Sequence, residues 1–279
     1  MLILFLGGDI RQEYASEYLR QHGIPSEVFI DFILNEKIKY YISKSDCIVL
    51  PLPVLKEGKY LNMKGDIRIP LKNLFEAIGF DKIILAGMLP DSLEEYSDYD
   101  NHKKIDYYND ERFKIYNAYL SAEGAVFYAK KRMDKSIHSS QIAIMGYGRI
   151  GKILSHILRA QGAKIYIFTR KQLDMVWSEL SGFQSQEIKN MGTIDDIKNM
   201  DVIFNTIPSH IFNEDIVQNI SDHTLIIDIA SYPYGIDEKL LERYPLKYFK
   251  EAGIPGRYAP QSAGEALGKT IINLLERRY

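Results

Sequence analysis

The chain has a single cysteine in 279 residues, which excludes an internal disulfide framework and suits a reducing cytoplasm. Cys47 lies in the apolar run Cys47-Ile48-Val49-Leu50, so it reads as a small buried hydrophobe rather than a nucleophile. Charge of one sign is missing too. With 35 basic against 37 acidic residues the net charge is −2, and no overall field argues for nucleic acid. No apolar run approaches the length that spans a bilayer, and no cationic, hydrophobic leader opens the chain. The expectation is a cytoplasmic protein with neither a nucleic-acid nor a membrane partner, and with no metal site. Tyrosines are plentiful, at 20, but follow no period and define no surface.

What is present is organised around residues 141–171. An apolar run, Ile142 to Met145, enters Gly146-Tyr147-Gly148-Arg149-Ile150-Gly151, and a helical pattern of Ile150, Ile153, Leu154, Ile157 and Leu158 leaves it. A second apolar run, Lys164 to Phe168, follows where a βαβ unit needs it. Strand, glycine turn and helix in this order predict a dinucleotide site. Gly146 permits the turn, Gly148 lets a pyrophosphate approach the backbone, Gly151 lets helix and sheet pack, and the helix N-terminus faces the phosphates. An NAD-selective site would carry Asp or Glu at the end of the second strand, whereas here Thr169 is followed by Arg170 and Lys171. A hydroxyl and two cations suit a 2′-phosphate, so NADP is the expected cofactor. The competing reading makes Arg170 and Lys171 the solvated start of the next helix.

The N-terminal stretch repeats the pattern. Met1 to Leu6 ends in Gly7-Gly8-Asp9, a helix is predicted from Ile10 to about His22, and a strand from Val28 to Ile30. With only two glycines the turn suits a substrate loop better than a second nucleotide site. Asp9 reads as a helix cap or a substrate contact, and Arg11, a cation opposed to the helix dipole, wants an anion or a salt bridge. Further strands are predicted at Cys47–Leu50 and Lys82–Ala86, with a helix at Leu71–Ile78 and an irregular loop with a short pairing over Lys56–Ile69. Glu94 to Glu111 reads as an acidic, tyrosine-rich surface segment. Glu123 beside Gly124 is a candidate acid or base, with a first-turn helix carboxylate as the competing reading. Later strands at Val202–Asn205, Leu225–Asp228 and about Leu246–Phe249 end in loops expected to border the nicotinamide, among them Thr206-Ile207-Pro208. A final amphipathic helix, Gln261 to Arg277, is expected to return to the first domain.

The fold class expected is therefore two-domain α/β. Residues 1–115 form a flavodoxin- or Rossmann-like substrate and catalytic domain and 116–139 a hinge helix. Residues 140–255 form a doubly wound Rossmann NADP-binding domain, and 256–279 return to pack on the first domain, with the cleft between the domains. A 2-hydroxyacid dehydrogenase would need an Arg just after Asp228 and a His late in the chain. Residues 229–236 hold no Arg, and the last histidine is His223. Carbonyl reduction is disfavoured, since no evident acid would protonate the alkoxide.

Taken in order, these segments resemble the A-subunit family of bacterial dipicolinate synthases over nearly the full length. The carriers are Gly7-Gly8-Asp9-x-Arg11-Gln12, Ser121-Ala122-Glu123-Gly124, the Gly146–Gly151 turn, Asn205-Thr206-Ile207-Pro208-Ser209, Asp228-Ile229-Ala230-Ser231, Ala252-Gly253-Ile254-Pro255-Gly256 and Ala259-Pro260-x-Ser262-Ala263-Gly264. Tyr232 and Ser262 stand where some relatives carry Arg and Thr. The resemblance implies NADP-dependent oxidation of a dihydrodipicolinate-level precursor, itself from 4-hydroxy-tetrahydrodipicolinate of the lysine pathway, to pyridine-2,6-dicarboxylate. It also implies the mother cell of a sporulating bacterium and, as partner, the flavoprotein-like second component of dipicolinate synthase. A homo-oligomer is a further expectation. Loss of hydride from a dihydropyridine gives an aromatic ring, so the step relies on positioning and a modest base, which fits the missing histidine. Expected substrate contacts are Asp9, Arg11, Ser231 and Ser262 around a small dicarboxylate, with Glu123 catalytic. The alternatives are a shikimate- or methylene-tetrahydrofolate-type dehydrogenase, and a nucleotide-sensing protein without turnover.

Overall fold

The computed structural model describes residues 1–90, 103–193 and 195–277. The chain divides into two compact units, Met1–Asn117 with Ala259–Tyr279 and Ala118–Tyr258.

In the first unit five parallel strands form one sheet: β1 (Ile3–Leu6), β2 (Ser26–Phe29), β3 (Cys47–Val49), β6 (Ile83–Ala86) and β7 (Lys103–Asp106), in the order β2-β1-β3-β6-β7. That is the flavodoxin order. Side chains alternate across the sheet, so Ile3, Phe5, Cys47, Val49 and Leu85 line one face and Leu4, Leu6, Ile48 and Ile84 the other. Both faces are apolar, and a sheet of this kind must be covered twice. Helices α2 (Glu36–Lys44) and α3 (Leu71–Ile78) cover the Leu4 face through Ile38, Ile42, Leu71, Leu74, Phe75 and Ile78. On the other face lie α1 (Ile10–Gln21) and the last helix, α10 (Pro260–Glu276), through Ala15, Leu19, Leu267, Ile271 and Leu275. The C-terminal helix thus packs on the first sheet, as its amphipathic pattern predicts. A two-stranded antiparallel pair, β4 (Leu55–Lys56) with β5 (Tyr60–Leu61), is the short pairing in the loop before α3.

One expectation is corrected here. Residues 94–102 of the acidic segment lie outside the described residues, but Lys103–Asp106 is the edge strand β7 and Tyr107 is fully buried. The polar, lysine-rich sequence of this strand hid it, because an edge strand needs few apolar side chains. The next helix, α4 (Glu111–Lys130), also begins before the hinge expected at 116.

The second unit is a six-stranded parallel sheet ordered β10-β9-β8-β11-β12-β13, the doubly wound Rossmann arrangement. Its strands are β8 (Gln141–Met145), β9 (Lys164–Thr169), β10 (Gln184–Glu187), β11 (Val202–Asn205), β12 (Leu225–Asp228) and β13 (Lys247–Lys250). Helix α5 (Arg149–Ala160) and the second half of α4 cover one face, and the other is covered by α7 (Glu214–Val217), α8 (Glu238–Arg243) and two short 3-10 turns. Strand β10, Gln-Ser-Gln-Glu, is a second polar edge without a sequence signal.

Close packing of α10 on α1 depends on two glycines. A Cβ at Gly264 would stand 2.4 Å from Tyr14 Cβ and 2.6 Å from the Arg11 carbonyl oxygen, and one at Gly268 would meet the Tyr18 ring at 2.8 Å. Alanine gains about 1 kcal/mol over glycine in helix propensity, but overpacking against backbone costs about 1–3 kcal/mol. Gly264→Ala, which meets backbone, is therefore expected to lose about 1 kcal/mol net in urea denaturation, and Gly268→Ala, which meets mainly a ring able to swing, less. Equal stability of Gly264→Ala and wild type would show that the helices do not need this approach.

Candidate functional site

The chemistry-bearing segments of the second unit gather at the carboxyl ends of its strands. Met145, Asn205 and Asp228 stand side by side as the last residues of β8, β11 and β12. Strand order reverses between β8 and β11, and ligands of open α/β sheets bind outside such a switch point.

The glycine turn after β8 has the geometry a pyrophosphate needs. Gly146 adopts φ +95°, a left-handed conformation that side chains disfavour. A Cβ on Gly151 would stand 2.1 Å from the Gly146 carbonyl oxygen, so only glycine lets α5 approach the turn. Gly148, the N-cap of α5, has no side-chain cap, and a Cβ built there would meet nothing within 4 Å. An uncapped helix N-terminus with open space before it suits a phosphate, so these residues fit a dinucleotide. Tyr147 contributes backbone only, because its ring is buried and packs edge-on to Phe183 at 6.3 Å. Thr206 and Ile207 pack on the turn: a Gly146 Cβ would meet Thr206 Oγ1 at 2.6 Å and Ile207 Cγ1 at 2.9 Å, and the Thr206 hydroxyl donates to the Met145 carbonyl at 2.7 Å. Pro208, next in the loop, is exposed.

At the end of β9, Thr169 is buried and its Oγ1 accepts from the Lys171 N–H at 3.3 Å. Arg170 and Lys171 are exposed, with Lys171 at the N-cap of α6 (Gln172–Leu180), which has no side-chain cap. Two cations at a helix N-terminus oppose its dipole.

Behind these loops is a buried carboxylate that the sequence did not single out. Asp228 accepts from Asn205 Nδ2 at 2.9 Å, from the N–H groups of Ala230 at 3.1 Å and Gly235 at 2.6 Å, and from the Tyr248 hydroxyl. Burial first, then the bond to Asp228, pushes the Tyr248 hydroxyl up, so it stays a donor. Asn205 accepts from the Ile207 N–H and donates to the Ile207 carbonyl, which shapes the Thr206-Ile207-Pro208 loop. The available signal was a polar residue closing each of two neighbouring apolar strands. Ser231, an expected substrate contact, is exposed on the loop that Asp228 braces.

Glu123 is half-buried, well inside α4, and the first-turn alternative is corrected because that helix begins at Glu111. Gly124 beside it lets α9 (Ile254–Tyr258) seat on α4, since a Cβ there would stand 2.3 Å from Ile254 and 2.9 Å from the Tyr258 ring. Burial, then the charge of Glu123, then Tyr119 and a hydrogen bond to Glu123 push the Tyr258 hydroxyl up. The result is a carboxylate with a protonated phenol beside it, and Tyr258 is a residue that sequence reasoning missed. The segment leading to it is held by Glu251, which pairs with Arg132 and with Arg257 at 2.7 Å.

In the first unit Asp9 caps α1 and pairs with Arg11, whose Nε donates to Asp9 at 2.8 Å while Nη2 donates to Asp9 at 2.9 Å and to the Leu52 carbonyl at 3.2 Å. Of the two outcomes expected for Arg11 the salt bridge is realised, leaving Nη1 for any further anion. Ser262 sits in the first turn of α10, half-buried. Burial pushes the Cys47 thiol up to about 12, with Asp46 adding to the shift, so the cysteine is inert. Among the described residues no cluster of His, Cys, Asp or Glu could hold a metal ion, and no helix is long and apolar enough to cross a membrane.

A doubly wound unit with an open glycine turn, joined to a flavodoxin-like unit, defines a two-domain oxidoreductase of the dehydrogenase type that uses a nicotinamide dinucleotide. Residues 111–242 match the family described as D-isomer specific 2-hydroxyacid dehydrogenase, NAD binding domain, and residues 2–108 match the N-terminal domain of the dipicolinate synthase A-subunit family. The dipicolinate synthase A-subunit of Bacillus subtilis (strain 168) is 31% identical over 294 residues, covering 98% of this chain and 95% of that relative. The chain belongs to the dipicolinate synthase A-subunit family. Among solved structures, the dipicolinate synthase A-subunit from Bacillus halodurans superposes with a TM-score of 0.84 at 24% identity, covering 98% of this chain and 97% of that one. The D-lactate dehydrogenase of Escherichia coli, at TM-score 0.66 and 14% identity over 100% of this chain and 97% of that one, shares the fold.

Two glycines separate binding from folding. Gly148→Ala is expected to leave the melting temperature of the free chain unchanged and to weaken nicotinamide dinucleotide about tenfold, because its methyl enters the open space. Gly151→Ala should lower both. Calorimetric titration beside thermal melts checks the pair, and full affinity in Gly148→Ala would place the pyrophosphate elsewhere.

Proposed function

We propose that this chain is the catalytic component of a dipicolinate synthase, oxidising a dihydrodipicolinate-level precursor to pyridine-2,6-dicarboxylate with NADP, beside a flavoprotein-like second component, in the mother cell of a sporulating bacterium. The observation that carries the reading is the open Gly148 helix N-terminus in a chain that belongs to the dipicolinate synthase A-subunit family. NADP supplies the electron acceptor when bound. The backbone of Gly146–Gly151 and the Thr206-Ile207-Pro208 loop would hold it, while Arg170 and Lys171 would meet the 2′-phosphate. Arg11 is assigned to a substrate carboxylate through Nη1, with Asp9 fixing its rotamer, and Ser231 and Ser262 are each assigned to a hydrogen bond with substrate. Glu123 is assigned to removal of the ring proton, with Tyr258 holding the carboxylate in place.

Two experiments test this. Incubating the full chain with freshly made 4-hydroxy-tetrahydrodipicolinate and NADP, with and without the flavoprotein-like partner, should release pyridine-2,6-dicarboxylate, detected by its ultraviolet absorbance. No product under either condition would remove the assignment and favour a nucleotide sensor. Titration with both nucleotides should show NADP preferred by at least about tenfold, or about 1.4 kcal/mol. Arg170→Ala should weaken NADP much more than NAD, since only NADP carries the phosphate. Equal affinities in the wild type, or equal losses in the variant, would sink the NADP assignment while leaving the oxidation itself standing.

A further inference from the structure

Helix α6, between β9 and β10, turns its apolar side to solvent. A surface helix normally faces that side to the core. Here the one buried residue of the helix is Ser178, whose hydroxyl donates back to the Met175 carbonyl at 2.7 Å, and Asp174 and Met175 are half-buried. The other large apolar residues, Leu173, Val176, Trp177 and Leu180, are between 51% and 75% exposed. Their spacing places all four on one face of the helix. Side chains of this size, exposed to this degree, present an apolar patch on the order of 500 Å², as large as a monomer usually leaves to water. The patch holds the only tryptophan of the chain, a residue type enriched where binding energy concentrates.

Symmetry, area and charge select the occupant. Leu173 stands three residues before Val176, and Leu180 three after Trp177. A two-fold axis at the midpoint lays a second α6 antiparallel on the first, so that Leu173 meets Leu180 of the second copy and the small Val176 meets the large Trp177. A two-fold interface requires such a self-match, whereas an unrelated partner does not. The area fits as well, because one side of a stable dimer buries about 800 Å², about 65% of it apolar in homodimers. The four side chains supply that apolar share. Charge argues against a lipid surface, since the charged residues of α6 are Asp174 and Glu179, while helices that lie on membranes carry Lys and Arg on the polar face.

We infer that the exposed face of α6 is the contact surface of a homodimer, in which two copies of the helix pack antiparallel about a two-fold axis between Val176 and Trp177. The inference is independent of the reaction proposed above.

Sedimentation of the full chain over a concentration series tests it. The wild type should form a dimer with a Kd of about 1 μM or tighter, and the Trp177 emission should move to shorter wavelength as the dimer forms. Leu173→Glu and Leu180→Lys, each burying an unpaired charge against leucine, should each weaken the dimer at least about a hundredfold. The double variant carrying both changes sets each Glu against a Lys of the second copy, and should restore the dimer to within about tenfold of the wild type. At a concentration where the wild type is itself monomeric, all variants should melt with it, because both positions are exposed. A wild type still monomeric at about 100 μM, a dimer that survives either single change, or a double variant as weak as the singles would overturn the inference. So would a monomeric chain that captures the flavoprotein-like component through these same residues, which would give the face to that other occupant.

Discussion

The contact on which the second unit depends is the approach of α5 to the turn that precedes it, where a Gly151 Cβ would stand 2.1 Å from the Gly146 carbonyl oxygen. A carbonyl oxygen cannot be pushed aside as a side chain can, so the helix sits at this depth only without a Cβ. The depth has effects in two directions. Below, Leu154 and Leu158 reach the sheet and join the core with Ile142, Ile144 and Ile167. Above, the start of α5 is brought level with the carboxyl ends of the strands, beside the Thr206-Ile207 loop that packs on Gly146.

A second constraint acts from inside the sheet. A carboxylate as buried as Asp228 costs several kcal/mol to desolvate unless its oxygens are fully hydrogen-bonded. Its four donors come from Asn205, Ala230, Gly235 and Tyr248, on different segments, so satisfying one charge braces the loops after β11 and β12 together. Glu123 is placed differently. It is half-buried with Tyr258 as its neighbour, not enclosed by backbone donors as Asp228 is.

Legibility in the sequence followed how strongly each element's neighbours constrain its residues. Buried strands such as Ile3–Leu6, Gln141–Met145 and Val202–Asn205 are covered on both faces, so their apolar runs announced two parallel sheets, and the stripe on α10 announced its return to the first of them. The two polar edge strands escaped notice, while the edges with apolar residues, Ser26–Phe29 and Lys247–Lys250, were announced. Lys103–Asp106 and Gln184–Glu187 pair on one side only and are held by backbone hydrogen bonds, which any sequence can make. At the site, the glycine turn could be read because the chemistry of a close backbone approach restricts residue type. Tyr258 and Tyr248 could not, since each matters through a partner distant in sequence: Glu123 and Asp228. Arg11 was legible as a cation in want of an anion or a salt bridge, but the sequence did not name Asp9, two residues before it, as the partner.

The only tryptophan of the chain, Trp177, lies half-exposed on α6, with the Lys152 ammonium 6.0 Å from its ring. Lys152 belongs to the first turn of α5, whose start carries the glycine turn, and α6 begins directly after Arg170 and Lys171. The indole is therefore a natural optical label for the second unit. The Lys152 ammonium ties the indole's surroundings to the start of α5, while the first unit, with no tryptophan, contributes only tyrosine emission. Excitation at the red edge of the indole band addresses one unit of the intact chain without any engineered probe.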